Sequence, residues 1–223
     1  MGSALNPFTF YSICQVKKLF MHKADTLVVL DFETTGLSPD YGDRAIEIGA
    51  VRIENGKVKE RFQGLMNPGH RIDSFIEDYT GITNTMLKDA PSCEEVMTEF
   101  ADFIDGQNLV AHNASFDKRF LDAEMARISR KYSGQFACSM LMARRVFQDA
   151  DNHRLGTLVE YASIPADGDY HRALYDSEMT TKLWLAMLDD ISDRYDIGSV
   201  PFNLTQKLAK TPRKSVHNFL KRW

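Results

Sequence analysis

The chain has 223 residues, of which 43% are hydrophobic, and this is enough apolar material for the core of one domain with terminal extensions. Its formal net charge is −4, but every acidic residue lies between Asp25 and Asp196, so both ends of the chain are basic. An acidic body of this kind binds a polyanion only where metal ions or neighbouring basic residues offset its charge.

Cysteine content and hydropathy argue against several classes of protein. The three cysteines, Cys14, Cys93 and Cys138, are far apart and form no CxxC pair, which argues against a disulfide framework and a zinc site. No apolar run approaches the length of a membrane span. The N-terminal segment lacks a charged start and contains Asn6 and Pro7, which makes it a poor signal peptide. We therefore expect a protein of the reducing cytoplasm.

The first predicted element is a helix over residues 6–23, in which Asn6 suits the N-cap and Pro7 suits the first turn. The charge distribution and the pattern of elements divide the chain into three predicted parts. These are an N-terminal extension of residues 1–24, a body of residues 25–189 and a basic C-terminal extension of residues 190–223.

The next predicted element is a strand that ends in two carboxylates. Its apolar run, Leu27–Leu30, is typical of a buried strand in the centre of a sheet. Asp31 and Glu33 follow two residues apart, so their side chains point to the same face of the sheet. Two such charges repel each other and are costly to desolvate, and a divalent cation would offset both costs. The alternative is a strand that simply runs out into solvent at Asp31.

Strands and helices alternate along the rest of the body. Predicted strands at 45–54 and 58–66 flank Asn55–Gly56, which is a strong hairpin signal. Ser92 and Glu95 form a capping box that opens the following helix. Short strands are predicted at 108–111 and 136–138, and helices at 140–147, 155–161 and 173–188. This order predicts an α/β layer structure.

Two further carboxylates and one histidine accompany these elements. Asp117 lies near the buried face of a helix that begins just beyond a strand, although it could simply stabilise the helix dipole. Asp176 lies on the last predicted helix of the body, and His171 lies on the loop before it. Five residues of helix turn by about 500°, so His171 and Asp176 converge only if His171 stays on the loop. The alternative for a lone loop histidine is simple exposure to solvent.

These residues resemble the motifs of the DnaQ-like superfamily of 3′–5′ exonucleases, of the DEDDh type. The first family motif is matched by DFETTG at Asp31–Gly36, and the second by AHNASFD, which ends at Asp117. The third is matched by the spacing of His171 and Asp176. Tyr79–Ile82 is similar to the family segment that walls the terminal nucleotide. Three motifs in the right order are far more specific than any one of them alone.

The resemblance implies a ribonuclease H-like fold, with a central mixed five-stranded sheet and helices on both faces. It implies that four carboxylates hold two divalent cations, Mg²⁺ or Mn²⁺, and that His171 is the general base that activates water. The four carboxylates are Asp31, Glu33, Asp117 and Asp176. The residues implied to contact the terminal nucleotide are Thr34, Thr35, Leu37, Tyr79, Thr80, His112, Asn113 and Phe116. Two metal ions of this kind can activate a water molecule and stabilise the leaving oxygen of a phosphodiester.

Within the superfamily the chain most resembles the proofreading (epsilon) subunits of bacterial DNA polymerase III. It differs from them in its N-terminal extension and in a C-terminal tail without a recognisable sliding-clamp motif. We therefore expect a stand-alone exonuclease that releases nucleoside monophosphates from the 3′ ends of single-stranded or frayed DNA. The alternatives are an RNA 3′-end-trimming exoribonuclease and a proofreading or accessory module bound to a polymerase or repair partner.

The C-terminal tail has two interpretations. Thr211 and Pro212 suit a helix cap and first turn, and Val216, Leu220 and Trp223 form an apolar stripe among basic residues. The tail either docks on the body through this stripe or contacts a nucleic acid or a protein partner through its basic side chains.

Overall fold

A five-stranded mixed sheet lies at the centre of the computed structural model, which describes residues 23–168 and 171–223. Its strands are β1 (Leu27–Thr34), β2 (Ala45–Glu54), β3 (Lys57–Leu65), β4 (Leu109–Ala111) and β5 (Phe136–Cys138). Their order across the sheet is β3-β2-β1-β4-β5. The pairs β1–β2 and β2–β3 are antiparallel, whereas β1–β4 and β4–β5 are parallel. The predicted mixed sheet is thereby confirmed.

Helices cover both faces of this sheet. They are α1 (Ser74–Thr80), α2 (Asn84–Lys88), α3 (Cys93–Phe103), α4 (Ser115–Arg127), α5 (Ser139–Val146), α6 (Leu155–Tyr161), α7 (Ala173–Tyr195), α8 (Phe202–Lys210) and α9 (Val216–Leu220). Helices α3 and α4 pack on one face, and α5 to α9 pack on the other. None of the helices in the described ranges is long and apolar enough to cross a membrane.

Strand β1 divides the hydrophobic core between the two faces. Val28, Leu30 and Phe32 pack with α3 and α4, whereas Leu27 and Val29 pack on the face covered by α7. Because side chains alternate along a strand, Asp31 and Glu33 continue the face of Val29. Both carboxylates therefore point toward the start of α7, as the spacing predicts.

The predicted hairpin turn and capping box agree with the structure, whereas Thr211 is the C-cap of α8 and not the N-cap of the last helix, which begins at Val216. Asn55 and Gly56 have φ angles of 50° and 73°, and two left-handed residues are what a type I′ hairpin turn requires. The Ser92 side chain accepts a hydrogen bond from the backbone N–H of Glu95, and the Glu95 side chain accepts one from that of Ser92, which completes the capping box. Helix α7 runs to Tyr195, seven residues beyond its predicted end.

The predicted N-terminal helix lies outside the described residues except for Lys23, and the three-part division of the chain stays a prediction. The structure does show that the end of the chain shares the core of the body. The backbone N–H of Ala24 donates to the carbonyl of Val200 at 2.9 Å, and Trp184 Nε1 donates to the carbonyl of Ala24 at 2.7 Å. The first bond joins Ala24 to Val200, and the second joins Ala24 to Trp184 of α7.

The tail of the chain is docked on the body. Helices α8 and α9 contribute buried side chains to the core beside α7, namely Phe202, Leu204, Leu208, Val216 and Leu220. Arg145 Nε of α5 donates to the carbonyl of Thr211 at 3.0 Å, and Lys207 Nζ lies 4.7 Å from the centre of the Trp223 ring. These contacts agree with the interpretation in which the tail docks on the body.

A single substitution in α9 tests this docking. Leu220 is 3% exposed, so Leu220→Ala removes buried methyl groups and leaves a cavity. We expect the free energy of unfolding to fall by about 2–5 kcal/mol. The matched control is Lys221→Ala at the exposed neighbouring residue, which we expect to change stability by less than about 0.5 kcal/mol. Equal urea midpoints for the two variants would show that α9 is not docked in solution.

Candidate active site

Four carboxylates from three elements converge where β1 ends. Asp31 and Glu33 come from β1, Asp117 comes from the first turn of α4, and Asp176 comes from the first turn of α7. Glu33, Asp117 and Asp176 are at most 8% exposed, and all four line a single cavity. The structure thus brings together every carboxylate that the sequence motifs predict.

Burial raises the pKa of each of these groups, and the charges of other carboxylates in the cluster raise those of Asp31 and Glu33 further. Burial and then the charges of Asp176 and Glu47 raise the pKa of Glu33 to about 8. Burial raises the pKa of Asp117 to about 7 and that of Asp176 to about 6. Burial, followed by the charge of Asp117, raises the pKa of Asp31 well above its usual value. The cluster therefore resists full ionisation near neutral pH unless a cation offsets its charge.

The donor set fits such a cation. Glu33, His171 and Asp176 offer ligand atoms that all lie within 4.8 Å of one another. Asp176 Oδ2 accepts a hydrogen bond from the backbone N–H of His171 at 2.9 Å, but its buried Oδ1 has no hydrogen-bond partner among the described residues. Buried carboxylate oxygens are rarely left without a partner, and hard divalent cations prefer oxygen ligands. A divalent metal ion is the group that this cluster suits.

His171 lies on the loop before α7, which is the placement that its convergence with Asp176 requires. Its φ angle of 71° is in the left-handed region, and its backbone N–H is held by Asp176 Oδ2. The imidazole ring lies 4.1 Å from the ring of Tyr79, measured between centroids. The loop therefore turns the histidine into the carboxylate cluster rather than out to solvent.

A buried carboxylate that the sequence analysis missed, Glu47 of β2, anchors this loop. Its side chain is 1% exposed and accepts hydrogen bonds from Arg172 Nε at 3.2 Å, Arg172 Nη2 at 2.7 Å and the backbone N–H of Ala173 at 3.0 Å. Ala173 is the first residue of α7, so Glu47 binds both the start of the helix and the residue after His171. Its signal in the sequence is a charged residue between the apolar Ile46 and Ile48 of a buried strand.

Gly49, also in β2, lets the same helix start approach the sheet closely. A Cβ atom at this position would lie 2.1 Å from the carbonyl carbon of Ala173. The Ser177 hydroxyl donates to the carbonyl of Gly49 at 2.9 Å. Because only glycine permits this approach, β2 determines where α7 begins, and hence where Asp176 and His171 lie.

His112 connects the end of β4 to two segments on the other side of the cleft. Its Nε2 lies 3.0 Å from the carbonyl of His153, and its Nδ1 lies 2.9 Å from Oγ of Ser139, the first residue of α5. Burial lowers the pKa of His112 to about 4, so the ring is neutral near pH 7. The neutral tautomer with its proton on Nε2 donates to His153 and accepts from Ser139.

The cleft has two lobes, which share the carboxylates Asp31 and Asp176 and the rings of Tyr79, His112 and His171. The apolar lobe has a volume of about 640 Å³, and its distinctive side chains are Thr34, Leu37, Phe75 and Phe116. The basic lobe has a volume of about 800 Å³, and its distinctive side chains are Met140, Arg144, Asn152, His153, Arg154 and Thr157. All four carboxylates line the apolar lobe, whereas only Asp31 and Asp176 also line the basic lobe, which is the lobe that contains arginine.

Most of the predicted nucleotide-contact residues line the apolar lobe. They are Thr34, Leu37, Tyr79, His112, Asn113 and Phe116. Thr35 and Thr80 are not among the described residues that line either lobe. The Thr35 hydroxyl accepts a hydrogen bond from the backbone N–H of Arg44 at 3.0 Å, and the Thr80 hydroxyl donates to the carbonyl of Ile76 at 2.8 Å. Both threonines therefore support the backbone beside the lobe.

Phe75 is a lining residue that the sequence analysis missed. It is 67% exposed, and its ring stacks on that of Tyr79 with 5.9 Å between centroids. The two aromatic residues are four positions apart on α1, so they share one face of the helix. A pair of aromatic side chains at this spacing beside the predicted Tyr79 was the signal that could have identified Phe75.

Comparison with known proteins points to nucleases. The exonuclease family model RNase_T matches residues 28–184. The PolC-type DNA polymerase III of Caldanaerobacter subterraneus is 39% identical over 166 residues, which cover 74% of this chain and 12% of that protein. The PolC-type DNA polymerase III of Bacillus subtilis is 38% identical over 172 residues, with 76% and 12% coverage. The chain thus spans about 12% of the length of these curated relatives.

Solved structures with a similar fold include two nucleases. Exonuclease X, in complex with 5′ overhanging duplex DNA, has a TM-score of 0.63 and 25% identity, covering 82% of this chain and 99% of that one. The nuclease domain of 3′hExo, a DEDDh family member bound to rAMP, has a TM-score of 0.65 and 20% identity, covering 74% and 92%. Because its sequence identity is only 20%, the similarity to 3′hExo is one of fold alone.

The raised pKa values predict how the metal-free protein responds to pH. A carboxyl group with a higher pKa in the native than in the unfolded chain binds more protons when folded, so stability falls as pH rises. For Glu33 this window runs from the ordinary glutamate pKa of 4.5 to about 8. In EDTA we expect the melting temperature to fall across this window, and to fall less steeply for Glu33→Gln.

The control for this experiment is Glu54→Gln, which changes an exposed carboxylate at the end of β2. We expect it to keep the pH dependence of the wild type. Parallel melting curves for the wild type and Glu33→Gln across this pH range would contradict the electrostatic strain that we assign to the cluster.

Proposed function

Because this chain belongs to the RNase_T family of exonucleases, within the DnaQ-like group, we propose that it is a metal-dependent 3′–5′ exonuclease. Its substrate would be DNA with a free 3′ end, single-stranded or frayed, and its products would be nucleoside monophosphates. The single observation that carries the proposal is the convergence of Asp31, Glu33, Asp117 and Asp176 with His171 in one cleft.

The four carboxylates would hold two divalent cations, Mg²⁺ or Mn²⁺. Their raised pKa values and the unpartnered Oδ1 of Asp176 support this assignment. A pair of such ions, when bound, activates a water molecule and stabilises the leaving oxygen of a phosphodiester.

The remaining residues of the cleft would bind the end of the strand and move a proton. Tyr79, Phe75 and Phe116 present aromatic rings in the apolar lobe, and such rings stack on nucleobases without regard to sequence. Thr34 and Asn113 supply polar groups beside them. An imidazole nitrogen of His171 would accept the proton of the attacking water, which is the usual task of a histidine at neutral pH.

The choice of DNA over RNA rests on the relatives, which are DNA polymerases of the PolC type. The same relatives support a second candidate function, as a proofreading module that works with a polymerase. The similar nuclease domain of 3′hExo is bound to rAMP, and this supports RNA as the alternative substrate class. The three differ in substrate sugar and partner but require the same cleft.

One assay tests the proposed activity. We expect the protein to shorten a 5′-labelled DNA strand stepwise from its 3′ end with Mg²⁺ or Mn²⁺, and to be inactive in EDTA. Asp31→Asn should abolish this activity because it removes one of the proposed ligands. The control Asp105→Asn changes an exposed carboxylate outside the cleft and should stay active. A labelled RNA strand of the same sequence distinguishes the two substrate classes, and cleavage in EDTA would contradict the proposal.

Removal of His171 should separate proton transfer from metal binding. We expect His171→Ala to lower turnover by about 10²–10⁴-fold, the usual contribution of a general base. The rise in melting temperature caused by Mn²⁺ should change little, since the four carboxylates remain. His70→Ala, at an exposed histidine outside both lobes, is the matched control. Wild-type turnover in His171→Ala, or loss of the Mn²⁺ effect, would overturn this role.

A further inference from the structure

We propose that Arg144 and Arg154 form a binding site for the backbone phosphates of the substrate strand beyond its terminal nucleotide. The inference deepens the proposed function and rests on it, because it assigns the path of the strand through the same cleft. It concerns the basic lobe, whose side chains none of the sequence motifs includes.

The first argument is location. Both arginines line the basic lobe together with Asp31, His171 and Asp176. This lobe shares its acidic centre with the apolar lobe, in which the aromatic rings lie. A strand whose last base lies against those rings passes the carboxylates and continues into the basic lobe.

The second argument is charge. Arg144 and Arg154 are exposed, and neither forms an ion pair with any carboxylate in the described ranges. Arg61 and Arg130, by contrast, are paired with Glu178 and Asp102. Two guanidinium groups without a carboxylate partner remain available for phosphate oxygens, to which their planar geometry is matched, since the side-chain contact of Arg144 is with the weak acceptor Met140 Sδ at 3.9 Å.

The third argument is the contrast between the lobes. Among the described residues, no lysine or arginine lines the apolar lobe, whereas the basic lobe has two arginines. The acidic centre itself repels phosphates. The charges of a polyanionic strand are therefore met in the basic lobe, and the apolar lobe suits the uncharged face of a base.

The fourth argument is rigidity. Arg154 directly precedes α6 and follows His153, whose carbonyl accepts a hydrogen bond from His112. Arg144 lies on α5, and the first residue of that helix, Ser139, is bonded to the same imidazole. Both arginine-bearing segments are thus held by His112, whose ring lines both lobes. The backbone positions of the two arginines relative to the acidic centre are therefore set by the fold.

Salt dependence of binding tests the inference. The probe is a deoxythymidine octamer that carries a 5′-fluorescein label. Fluorescence anisotropy measures its affinity for the whole 223-residue chain. EDTA is present throughout, because it stops metal-dependent cleavage of the probe. Each phosphate contact on a single strand contributes a slope of about 0.7 to the plot of log Kd against log salt. Arg144→Gln and Arg154→Gln should each lower the slope by about 0.7, and the double variant by about 1.4.

Matched variants make the result specific. Arg71→Gln removes another exposed arginine that has no ion pair in the described ranges and lines a different cavity, so it should keep the wild-type slope. Arg144→Lys and Arg154→Lys retain the charge and should restore the slope. A dinucleotide has a single internal phosphate, so the double variant should lose less affinity for it than for the octamer.

The outcomes separate this inference from the proposed function. A double variant with the wild-type slope, or an equal loss of slope in Arg71→Gln, would overturn the phosphate site while leaving the exonuclease assay untouched. Absence of stepwise 3′ shortening by the wild type would overturn the proposed function. Because the binding experiment needs no turnover, the slopes would still decide the role of the two arginines.

Discussion

The burial of four carboxylates in one cleft is the constraint on which the rest of the structure depends. Asp31, Glu33, Asp117 and Asp176 lie in a cleft where burial raises the pKa of each. Such a cluster is unfavourable by itself, and it persists only because a packed fold holds its members in place. The central strand β1 supplies two of them, and helices on opposite faces of the sheet supply one each.

Contacts around the cluster hold it from several directions. The backbone N–H of Phe32 donates to Asp117 Oδ1 at 3.2 Å, which joins α4 to β1. Glu47 and Arg172 join β2 to the start of α7. Only Glu47 of this ion pair is buried, and its desolvation offsets much of the attraction to Arg172, so the pair contributes little net stability. Its effect here is to fix the position of the loop that carries His171.

The same acidic centre explains the division of the cleft. Bases and phosphates have opposite requirements, since a base favours apolar aromatic surfaces and a phosphate favours positive charge. The apolar lobe has the rings of Phe75, Tyr79 and Phe116, and the basic lobe has Arg144 and Arg154. The oxygen donors that suit a divalent cation line the apolar lobe, and Asp31 and Asp176 extend them into the basic lobe. The proposed hydrolysis at the end of a nucleic acid strand rests on this arrangement.

The sequence by itself determined the strands, most of the helices of the body and the acidic motifs, because strand alternation, the Asn55–Gly56 turn and the capping box are local patterns. It did not predict α8 or the full length of α7. The tertiary structure alone decided how the cleft is bounded. Glu47 and Arg172 are 125 residues apart in the chain. The segments that carry Arg144 and Arg154 are held at the cleft by hydrogen bonds to His112, which lies at the end of β4. Contacts between distant residues leave no period or spacing in the chain, so only the folded arrangement of the sheet and helices could bring them together.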